Sequence, residues 1–318
     1  IDDYDSHVEI YDDLFDGNEW VKKFTPSSSD EIFIGVAAGD VDGDYNDELL
    51  IVATTELVHN AYIYVYDYTK SNDTWTLLGT IDDASMDGAS NSYTSYSEFR
   101  VATGDFDEDG LDEIVAATCW DLSFLNVWMF DDATTDFSLI DLYDTTVNSD
   151  DVAISVLDYD VDGVPEVAVR SLYVRFFGLS DGSVVLEKSF GCPSVAGDFA
   201  ASLLSPNGTV LMAFAYIDDW DPKLLVWEVD LEEDTYTEAC SYTFDSGYQS
   251  ATVVVQNFDS DPYPEIAVAY TAIGLGSPVQ MYVIDDRTSD YEIMYDYYRV
   301  CSDGVSLARP SLAAIDAD

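Results

Sequence analysis

The sequence predicts an all-β protein, a β-propeller of four-stranded antiparallel blades, and three observations support this. Acidic loops of one pattern recur along the chain, each between two short apolar runs. Strands that alternate apolar and polar residues, and that often end in acids, recur between the loops. No segment reads as a helix, and no low-complexity linker divides the chain. Repeats of this length stack and share a core, and two strands around a loop followed by an outer hairpin make a propeller blade.

The acidic loops predict metal sites. Each complete loop carries oxygen-bearing side chains at positions 1, 3 and 5 and a glutamate at position 9. Ca²⁺ takes six to eight oxygen ligands, and position 7 of such a loop would contribute its backbone carbonyl, so Ca²⁺ is the expected cofactor. The predicted ligands are Asp40, Asp42, Asp44, Asn46, Glu48, Asp105, Asp107, Asp109, Leu111, Glu113, Asp158, Asp160, Asp162, Val164, Glu166, Asn257, Asp259, Asp261, Tyr263 and Glu265, with Asp316 and Asp318 in a fifth, incomplete loop.

Two other interpretations of the loops fit less well. An EF-hand has its bidentate glutamate at position 12 and helices on both sides, whereas here the acid comes at position 9 between β-branched runs. Solvated turns are the second alternative, because Asp and Gly favour turns without any metal. Four loops in the same register, each followed by an apolar strand, favour metal binding over that alternative.

The residue at position 6 predicts a ranking of the sites. A sharp turn there favours a residue that tolerates positive φ, which suits Gly110 and Gly163. Tyr45 adds strain at this position, and Pro262 cannot take positive φ at all. We therefore expect the loop that begins at residue 105 to bind best, followed by those at 158, 40 and 257. The last also has an amide, Asn257, in place of the first carboxylate.

The pattern Asp-x-Asp-x-Asp-Gly-x-x-Asp/Glu followed by a hydrophobic strand resembles the FG-GAP and VCBS repeats of integrin α-subunit-like β-propellers. The resemblance covers nearly the whole chain, although position 9 is always glutamate here and is often aspartate in that family. It implies an extracellular, calcium-stabilised propeller that acts as an adhesion, recognition or structural module. It also implies a protein or glycan partner across one face of the ring, and self-association is a second expected kind of partner.

The repeats predict one propeller domain over residues 1–318, as part of a longer chain. Six inner strands and six outer hairpins are expected, and seven blades, the usual number in integrins, would need more sequence. The N-terminal hairpin is expected to pair beside the C-terminal inner strand and close the ring. One repeat, which starts at Asp198, has lost the loop pattern. We expect it to bind no metal and to hold its turn by packing and backbone hydrogen bonds.

The composition limits the partners and the compartment. The chain has 64 acidic and 11 basic residues, a formal charge of −53, and four Ca²⁺ ions would offset little of it. Such a field repels nucleic acid and anionic lipid headgroups. No run of 18 apolar residues is present, so no membrane insertion is expected. Calcium loops of the millimolar type indicate an extracellular setting, so a secreted or cell-surface protein is expected.

The cysteines and sequons fit the same setting. Four cysteines allow three pairings, which the sequence does not distinguish, and at least one disulfide is expected outside the cell. Buried thiols are the alternative. Asn72 and Asn207 begin candidate glycosylation sequons. The four cysteines are Cys119, Cys192, Cys240 and Cys301.

Catalytic motifs are not apparent in the sequence. Only His7 and His59 are present, at separate outer-strand positions, and there is no P-loop, dinucleotide loop or serine-nucleophile motif. We therefore do not expect an enzyme. Two alternatives to an adhesion module stay open. One is a glycan-binding lectin, with Trp120 and Trp220 as ligand-facing candidates. The other is a polysaccharide-degrading enzyme on the same scaffold, against which the scarcity of His, Lys and Arg argues.

Overall fold

The computed structural model describes residues 8–12, 20–24, 31–55, 61–69, 74–82, 99–120, 124–147, 152–193, 197–205, 208–244, 248, 250–257, 263–271 and 278–300. They form five four-stranded antiparallel sheets, one two-stranded sheet and two short 3-10 turns at Ala133–Thr135 and Arg287–Ser289. The predicted all-β propeller is confirmed. The described residues form five such blades, rather than the six or seven that were predicted. The N-terminal hairpin makes a two-stranded sheet, and the sixth inner strand was expected in residues 301–318, outside the described ranges.

Each blade takes four strands that are consecutive in the chain. Blades 1 to 5 consist of β3–β6, β7–β10, β11–β14, β15–β18 and β19–β22, and β1 pairs with β2. The strands are β1 (Val8–Asp12), β2 (Trp20–Phe24), β3 (Glu31–Gly39), β4 (Glu48–Thr55), β5 (Ala61–Thr69), β6 (Thr74–Ile81), β7 (Phe99–Gly104), β8 (Glu113–Trp120), β9 (Phe124–Phe130), β10 (Leu139–Thr146), β11 (Ala153–Leu157), β12 (Glu166–Arg170), β13 (Tyr173–Ser180), β14 (Ser183–Gly191), β15 (Gly197–Ser205), β16 (Thr209–Asp218), β17 (Asp221–Asp230), β18 (Thr235–Thr243), β19 (Ser250–Gln256), β20 (Glu265–Thr271), β21 (Pro278–Ile284) and β22 (Ile293–Val300).

Burial decreases from the second strand of a blade to the fourth. The second strands β12 and β20 are buried at every residue, as expected for apolar strands that are covered on both faces. The fourth strand β18 has only exposed and half-buried residues. This gradient confirms that the short apolar runs form the interior of the propeller and that the alternating hairpins form its rim.

The hydrophobic core lies between the blades. In the interface of blades 1 and 2, Ile63 and Val65 pack against Phe99 and Trp128. The rings of Phe99 and Trp128 are stacked with centroids 6.0 Å apart. The next three interfaces hold clusters of the same kind. Each blade is therefore stabilised mainly by burying apolar area against its neighbours.

The first strands of successive blades lie side by side and run in the same direction. Near the end of β7, the Thr103 hydroxyl donates a hydrogen bond to the carbonyl of Ala38, near the end of β3 (2.5 Å). In the middle of β11, the Ser155 hydroxyl donates to the carbonyl of Ala201 in β15 (2.9 Å). The loops after these strands therefore share one face of the ring, the loop face (residues 40–47, 105–112 and 158–165). The turns between second and third strands, such as 171–172 and 219–220, lie on the opposite face, the turn face.

The sequence predicted a disulfide, two candidate sequons and no membrane insertion. No disulfide joins the described cysteines Cys119, Cys192 and Cys240, so the predicted disulfide is not found among them. Cys301 and the sequon residues Asn72 and Asn207 lie outside the described residues. In the described part of the chain, no helix has the length and apolar character needed to cross a membrane.

Candidate metal centres

The acidic loops that begin at residues 40, 105 and 158 share one backbone conformation. Positions 4 and 6 both have positive φ in all three loops. Position 6 was predicted to do so, whereas position 4 was missed. Each loop has one glycine at these two positions and one residue for which positive φ is costly. The φ values are 81° and 68° for Gly43 and Tyr45, 63° and 93° for Glu108 and Gly110, and 64° and 100° for Val161 and Gly163.

This conformation removes one reason for the predicted ranking. Tyr45 was expected to strain the backbone of the loop at residue 40. Glu108 and Val161, at position 4, impose a comparable strain on the other two loops. Val161 is β-branched, for which positive φ is a marked outlier. The backbone therefore does not separate the three loops in the way that the glycines at position 6 suggested.

Backbone amides orient the loop carboxylates. The aspartate at position 1 accepts a hydrogen bond from the amide at position 6, over 3.0 Å for Asp40, 3.1 Å for Asp105 and 3.0 Å for Asp158. In each loop the aspartate at position 3 accepts from the amide at position 5, and the one at position 5 from the amide at position 7. These bonds fix the loop acids around a small volume of space.

The glutamate at position 9 is the most buried acid of each loop. Glu48 and Glu113 have no exposed surface, and Glu166 is buried as well. One oxygen of each accepts a hydrogen bond from the amide at position 2, over 2.9 Å, 2.7 Å and 2.9 Å respectively. The other oxygen of Glu48 and of Glu113 is buried and has no hydrogen-bond partner among the described residues. A buried ionised oxygen without a partner is costly, so these positions suit a cation.

Burial raises the pKa of the glutamate at position 9 in each of the three loops. Burial, more than any other effect, raises the pKa of Glu48 to about 8, and repulsion from Asp42 adds to it. Burial likewise raises the pKa of Glu113 to about 8, and that of Glu166 to about 8. A divalent ion would reverse this effect, because an opposite charge favours the ionised carboxylate.

The structure brings together positions 1, 3 and 9 of three loops. One oxygen of each acid lies within 4.8 Å of the others in the groups Asp40, Asp42 and Glu48; Asp105, Asp107 and Glu113; and Asp158, Asp160 and Glu166. Of the predicted ligands at position 5, Asp44, Asp109 and Asp162 are not members of these three groups. Such groups can hold a metal ion, and donor sets made only of carboxylate oxygen suit hard cations such as Ca²⁺, Mg²⁺ or Mn²⁺.

The loop at residue 257 is described only in part. Asn257 is exposed, Tyr263 is half-buried, and Asp259, Asp261 and Pro262 lie outside the described residues. Glu265 is fully buried and lies beside Asp285 and Asp286 in the next hairpin of the same blade. Asp316 and Asp318 are likewise outside the described ranges.

Sequence reasoning missed two buried aspartates that follow the third strands of blades 2 and 5. Asp132 and Asp286 lie at the start of the two 3-10 turns, and each accepts a hydrogen bond from the amide two residues later. Asp132 lies within 4.8 Å of Asp109 and Glu113 through one oxygen of each. The signal was present in the sequence, as segments 131–137 and 285–291 share the pattern Asp-Asp-x-Thr-(Thr/Ser)-Asp-aromatic.

The position assigned to the degenerate repeat was wrong. Asp198 is the second residue of β15, whereas Asp40 and Asp105 follow the last residue of their first strands. Residues after Asp198 that were taken for a loop therefore form the strand itself, and the equivalent connection is the short turn before β16. Asp198 instead accepts hydrogen bonds from the Thr252 hydroxyl (2.5 Å) and the Val253 amide (3.0 Å) of blade 5. It joins two blades.

Trp220 is the described tryptophan that faces solvent on the turn face. It is 61% exposed and lies in the two-residue turn between β16 and β17, where Asp219 has a φ of 50° and Trp220 a φ of 72°. Beside the turn, Lys223 Nζ donates to Asp218 Oδ2 over 2.5 Å. Trp220, one of the two tryptophans predicted as ligand-facing candidates, is therefore exposed, and the side chain of the other, Trp120, is outside the described residues.

Comparison with known proteins establishes the fold. No family model matches the sequence, and no curated protein matches it. The chain is similar to the Aleuria aurantia lectin in complex with α-methyl-L-fucoside, with a TM-score of 0.54, 11% identity, and coverage of 89% of this chain and 85% of the lectin. A second structure of that fucose-specific lectin gives a TM-score of 0.52 at 12% identity, covering 89% and 86%. The likeness establishes a β-propeller.

Rhamnogalacturonan lyases are also among the similar structures. The lyase YesW gives a TM-score of 0.48 at 12% identity, covering 89% of this chain and 58% of the lyase. A Bacillus licheniformis lyase gives 0.43 at 13% identity, covering 93% and 64%. This chain thus spans less than two thirds of these lyases. The expectation that the chain is not an enzyme is therefore corrected: lyases are among the similar structures, and an enzyme is not excluded.

Proposed function

We propose that this chain is a calcium-stabilised β-propeller that binds glycans through its turn face, in a secreted or cell-surface protein. The observation that carries the proposal is the exposed Trp220 at a turn where its conformation is costly. Tryptophan offers a flat apolar surface for a sugar ring, and the acids beside it, Asp218 and Asp219, offer hydrogen-bond acceptors for hydroxyl groups.

The backbone of Trp220 supports a functional role. A two-residue hairpin turn with positive φ at both central residues favours Asn-Gly or Asp-Gly. The outer hairpin of blade 3 follows this rule with Asp181 and Gly182, at φ values of 53° and 73°. Blade 4 places Asp219 and Trp220 in the same conformation. Outside the acidic loops, whose closure accounts for positive φ at Tyr45, a bulky exposed residue in a strained conformation is better explained by a ligand than by stability.

The acidic loops support the calcium part of the proposal. Three groups of converging carboxylates lie on the loop face, and two of their glutamates have buried oxygens without hydrogen-bond partners. The loop pattern resembles FG-GAP and VCBS repeats, in which Ca²⁺ is expected to be structural. We assign the ions to stability rather than to ligand binding, because Trp220 lies on the opposite face from the loops.

The charge of the chain favours a neutral glycan. With 64 acidic residues against 11 basic ones, the field of the protein repels polyanions, so uronate-rich or sulfated polymers are disfavoured. The Aleuria aurantia lectin, named as fucose-specific, has the same architecture. That likeness suggests the class of ligand, and the argument for a site rests on the Trp220 turn.

A glycan array probed with the 318-residue chain in the presence of Ca²⁺ tests the proposal. We expect binding to neutral glycans and its loss in Trp220→Ala. The matched control is Tyr45→Asn, which removes an aromatic side chain that is 91% exposed on the loop face. Asparagine tolerates the positive φ of that position, so binding should persist. An array without binding, or equal loss in both variants, would refute a glycan site at Trp220.

A further inference from the structure

Asp132 is a buried acid whose two carboxylate oxygens have different surroundings. It directly precedes the 3-10 turn Ala133–Thr135, and its side chain is only 1% exposed. One oxygen, Oδ1, caps the turn by accepting a hydrogen bond from the amide of Thr134 over 2.6 Å. The other, Oδ2, is buried and has no hydrogen-bond partner in the part of the chain that the structure describes. Capping of the turn therefore accounts for the burial of Oδ1 but not for that of Oδ2.

Two loop acids of the same blade converge on Asp132. One oxygen of each of Asp109, Glu113 and Asp132 lies within 4.8 Å of the others. Glu113 has no exposed surface, and its Oε1 is buried without a hydrogen-bond partner. Removing two carboxylates from water without compensation is strongly unfavourable. A cation with oxygen ligands would compensate both.

The group around Asp132 differs from the predicted loop site. In the structure the loop group of blade 2 consists of Asp105, Asp107 and Glu113, and Glu113 belongs to both groups. Asp109, which was predicted as the position 5 ligand of the loop, lies with Glu113 and Asp132 instead. A carboxylate has two oxygens and can bridge two ions. Among the described residues, the groups at residues 40 and 158 contain loop acids alone, so an additional group of this kind is found there in blade 2 and not in blade 1 or blade 3.

We propose that blade 2 holds a second cation subsite, formed by Asp109, Glu113 and Asp132, which takes a hard divalent cation such as Ca²⁺. This proposal rests on the proposed calcium loops, because Glu113 is shared with the loop site. The subsite joins the first loop of the blade to its outer hairpin, two elements that are separated by the strands β8 and β9.

The position of the subsite also connects it to blade 1. The amide of Ala133, the residue after Asp132, donates a hydrogen bond of 3.0 Å to the carbonyl of Val41 in the loop of blade 1. A cation at Asp132 would therefore fix the turn that contacts the neighbouring loop. The loop face would be held by the ion at the boundary between two blades, and not only within each blade.

Equilibrium dialysis of the 318-residue chain with radioactive Ca²⁺, at about 0.15 M KCl to screen diffuse binding, tests the subsite. Asp132→Asn keeps an oxygen that can cap the turn and removes the charge. We expect this variant to bind one Ca²⁺ fewer than the wild type. The control is Asp136→Asn, an exposed acid of the same turn with a φ of 61°, which should bind the wild-type number.

The outcomes separate this proposal from the calcium loops. If the wild type binds no Ca²⁺, the loop sites fail and the subsite fails with them. If the wild type binds Ca²⁺ and Asp132→Asn binds the same number, with equal or lower affinity, the subsite is refuted while the loops stand. Should Asp132→Asn not fold, wild-type crystals soaked in Tb³⁺ decide. Separate anomalous peaks on either side of Glu113 are expected, and a single peak among Asp105, Asp107 and Glu113 would overturn the subsite.

Discussion

The backbone amide of Asp112 donates a hydrogen bond of 2.9 Å to the carbonyl of Asp40, which ties the loop of blade 2 to the loop of blade 1. The approach is close, since a Cβ on Gly39 would lie 2.3 Å from a carboxylate oxygen of Asp112. Burial, followed by repulsion from Asp47 and Asp105, raises the pKa of Asp112 to about 6. The loops are therefore electrostatically coupled, and a cation bound in one relieves repulsion in the next.

Removal of Ca²⁺ should destabilise the fold. A ligand that binds only the folded state stabilises it by about 2.7 kcal/mol per site at a concentration 100-fold above Kd. Urea unfolding in Ca²⁺ and in chelator, at constant ionic strength, measures the difference. Glu113→Gln should lose part of the calcium-dependent stability, whereas Glu233→Gln, an exposed acid far from the loops in sequence, should keep it. Superimposable curves with and without Ca²⁺ would count against structural ions.

The calcium-free chain should lose stability as the pH rises. The pKa values of Glu48, Glu113 and Glu166 are raised from 4.5 to about 8 in the folded state. Between these values the folded state binds more protons than the unfolded state, so the free energy of unfolding falls with rising pH. Calcium binding needs ionised carboxylates, so affinity should increase over the same range.

Melting temperatures at several pH values between about 5 and 8, with chelator and with Ca²⁺, check this sign. The two series should diverge as the pH increases. The Glu113→Gln variant should show a weaker decline in chelator, because its side chain does not ionise. A calcium-free wild type that becomes more stable from pH 5 to pH 8 would contradict the burial of these glutamates.

The convergence of the loop acids could be predicted because it depends on local geometry. Nine consecutive residues set the spacing of Asp105, Asp107 and Glu113, and the structure brings these three together as expected. The positive φ at position 6 also follows from the residues of the loop. Position 4 was missed because glutamate and valine do not favour the positive φ that Glu108 and Val161 adopt. Only the geometry of the closed loop imposes that conformation.

The errors concern contacts between segments that are distant in the chain. Gly-Asp occurs at residues 39–40 and at 197–198, but at the end of one strand and at the start of another. The local sequence is nearly the same in both places, and only the pairing of β15 with β16 distinguishes them. Asp132 was missed for the same reason, since it meets Glu113 through the pairing of β8 with β9.

Gly79→Ala should destabilise the interface between blades 1 and 2. A Cβ at Gly79 would lie 2.4 Å from the ring of Phe137, which is buried in that interface. The ring would have to move out of a packed cluster, at a cost of about 1–3 kcal/mol. Gly191→Ala is the control, because a Cβ there meets nothing within 4 Å. Equal unfolding midpoints for the two variants would refute the packing argument.

Asp198→Ala should weaken the contact between blades 4 and 5 without changing calcium binding. The substitution leaves the buried Thr252 hydroxyl and the Val253 amide without their acceptor, at about 1–3 kcal/mol. Asp144→Ala removes an exposed acid from β10 and should cost much less. Urea unfolding and calcium stoichiometry are measured together. If Asp198→Ala binds fewer Ca²⁺ ions than the wild type, Asp198 contributes to a metal site and the assignment to a contact between blades fails.

Trp220→Gly should separate function from stability. Glycine adopts the φ of 72° that Trp220 has without the steric cost that other residues incur, and the turn would then match the Asp-Gly turn of blade 3. We expect the free energy of unfolding to rise by up to about 1 kcal/mol, while glycan binding is lost. Gly182→Trp, the reverse change in the blade 3 turn, should lower stability and create no binding, because that turn joins β13 to β14 and lies on the loop face. If Trp220→Gly is less stable than the wild type, the tryptophan is held there by packing, and the strain argument for a ligand site fails.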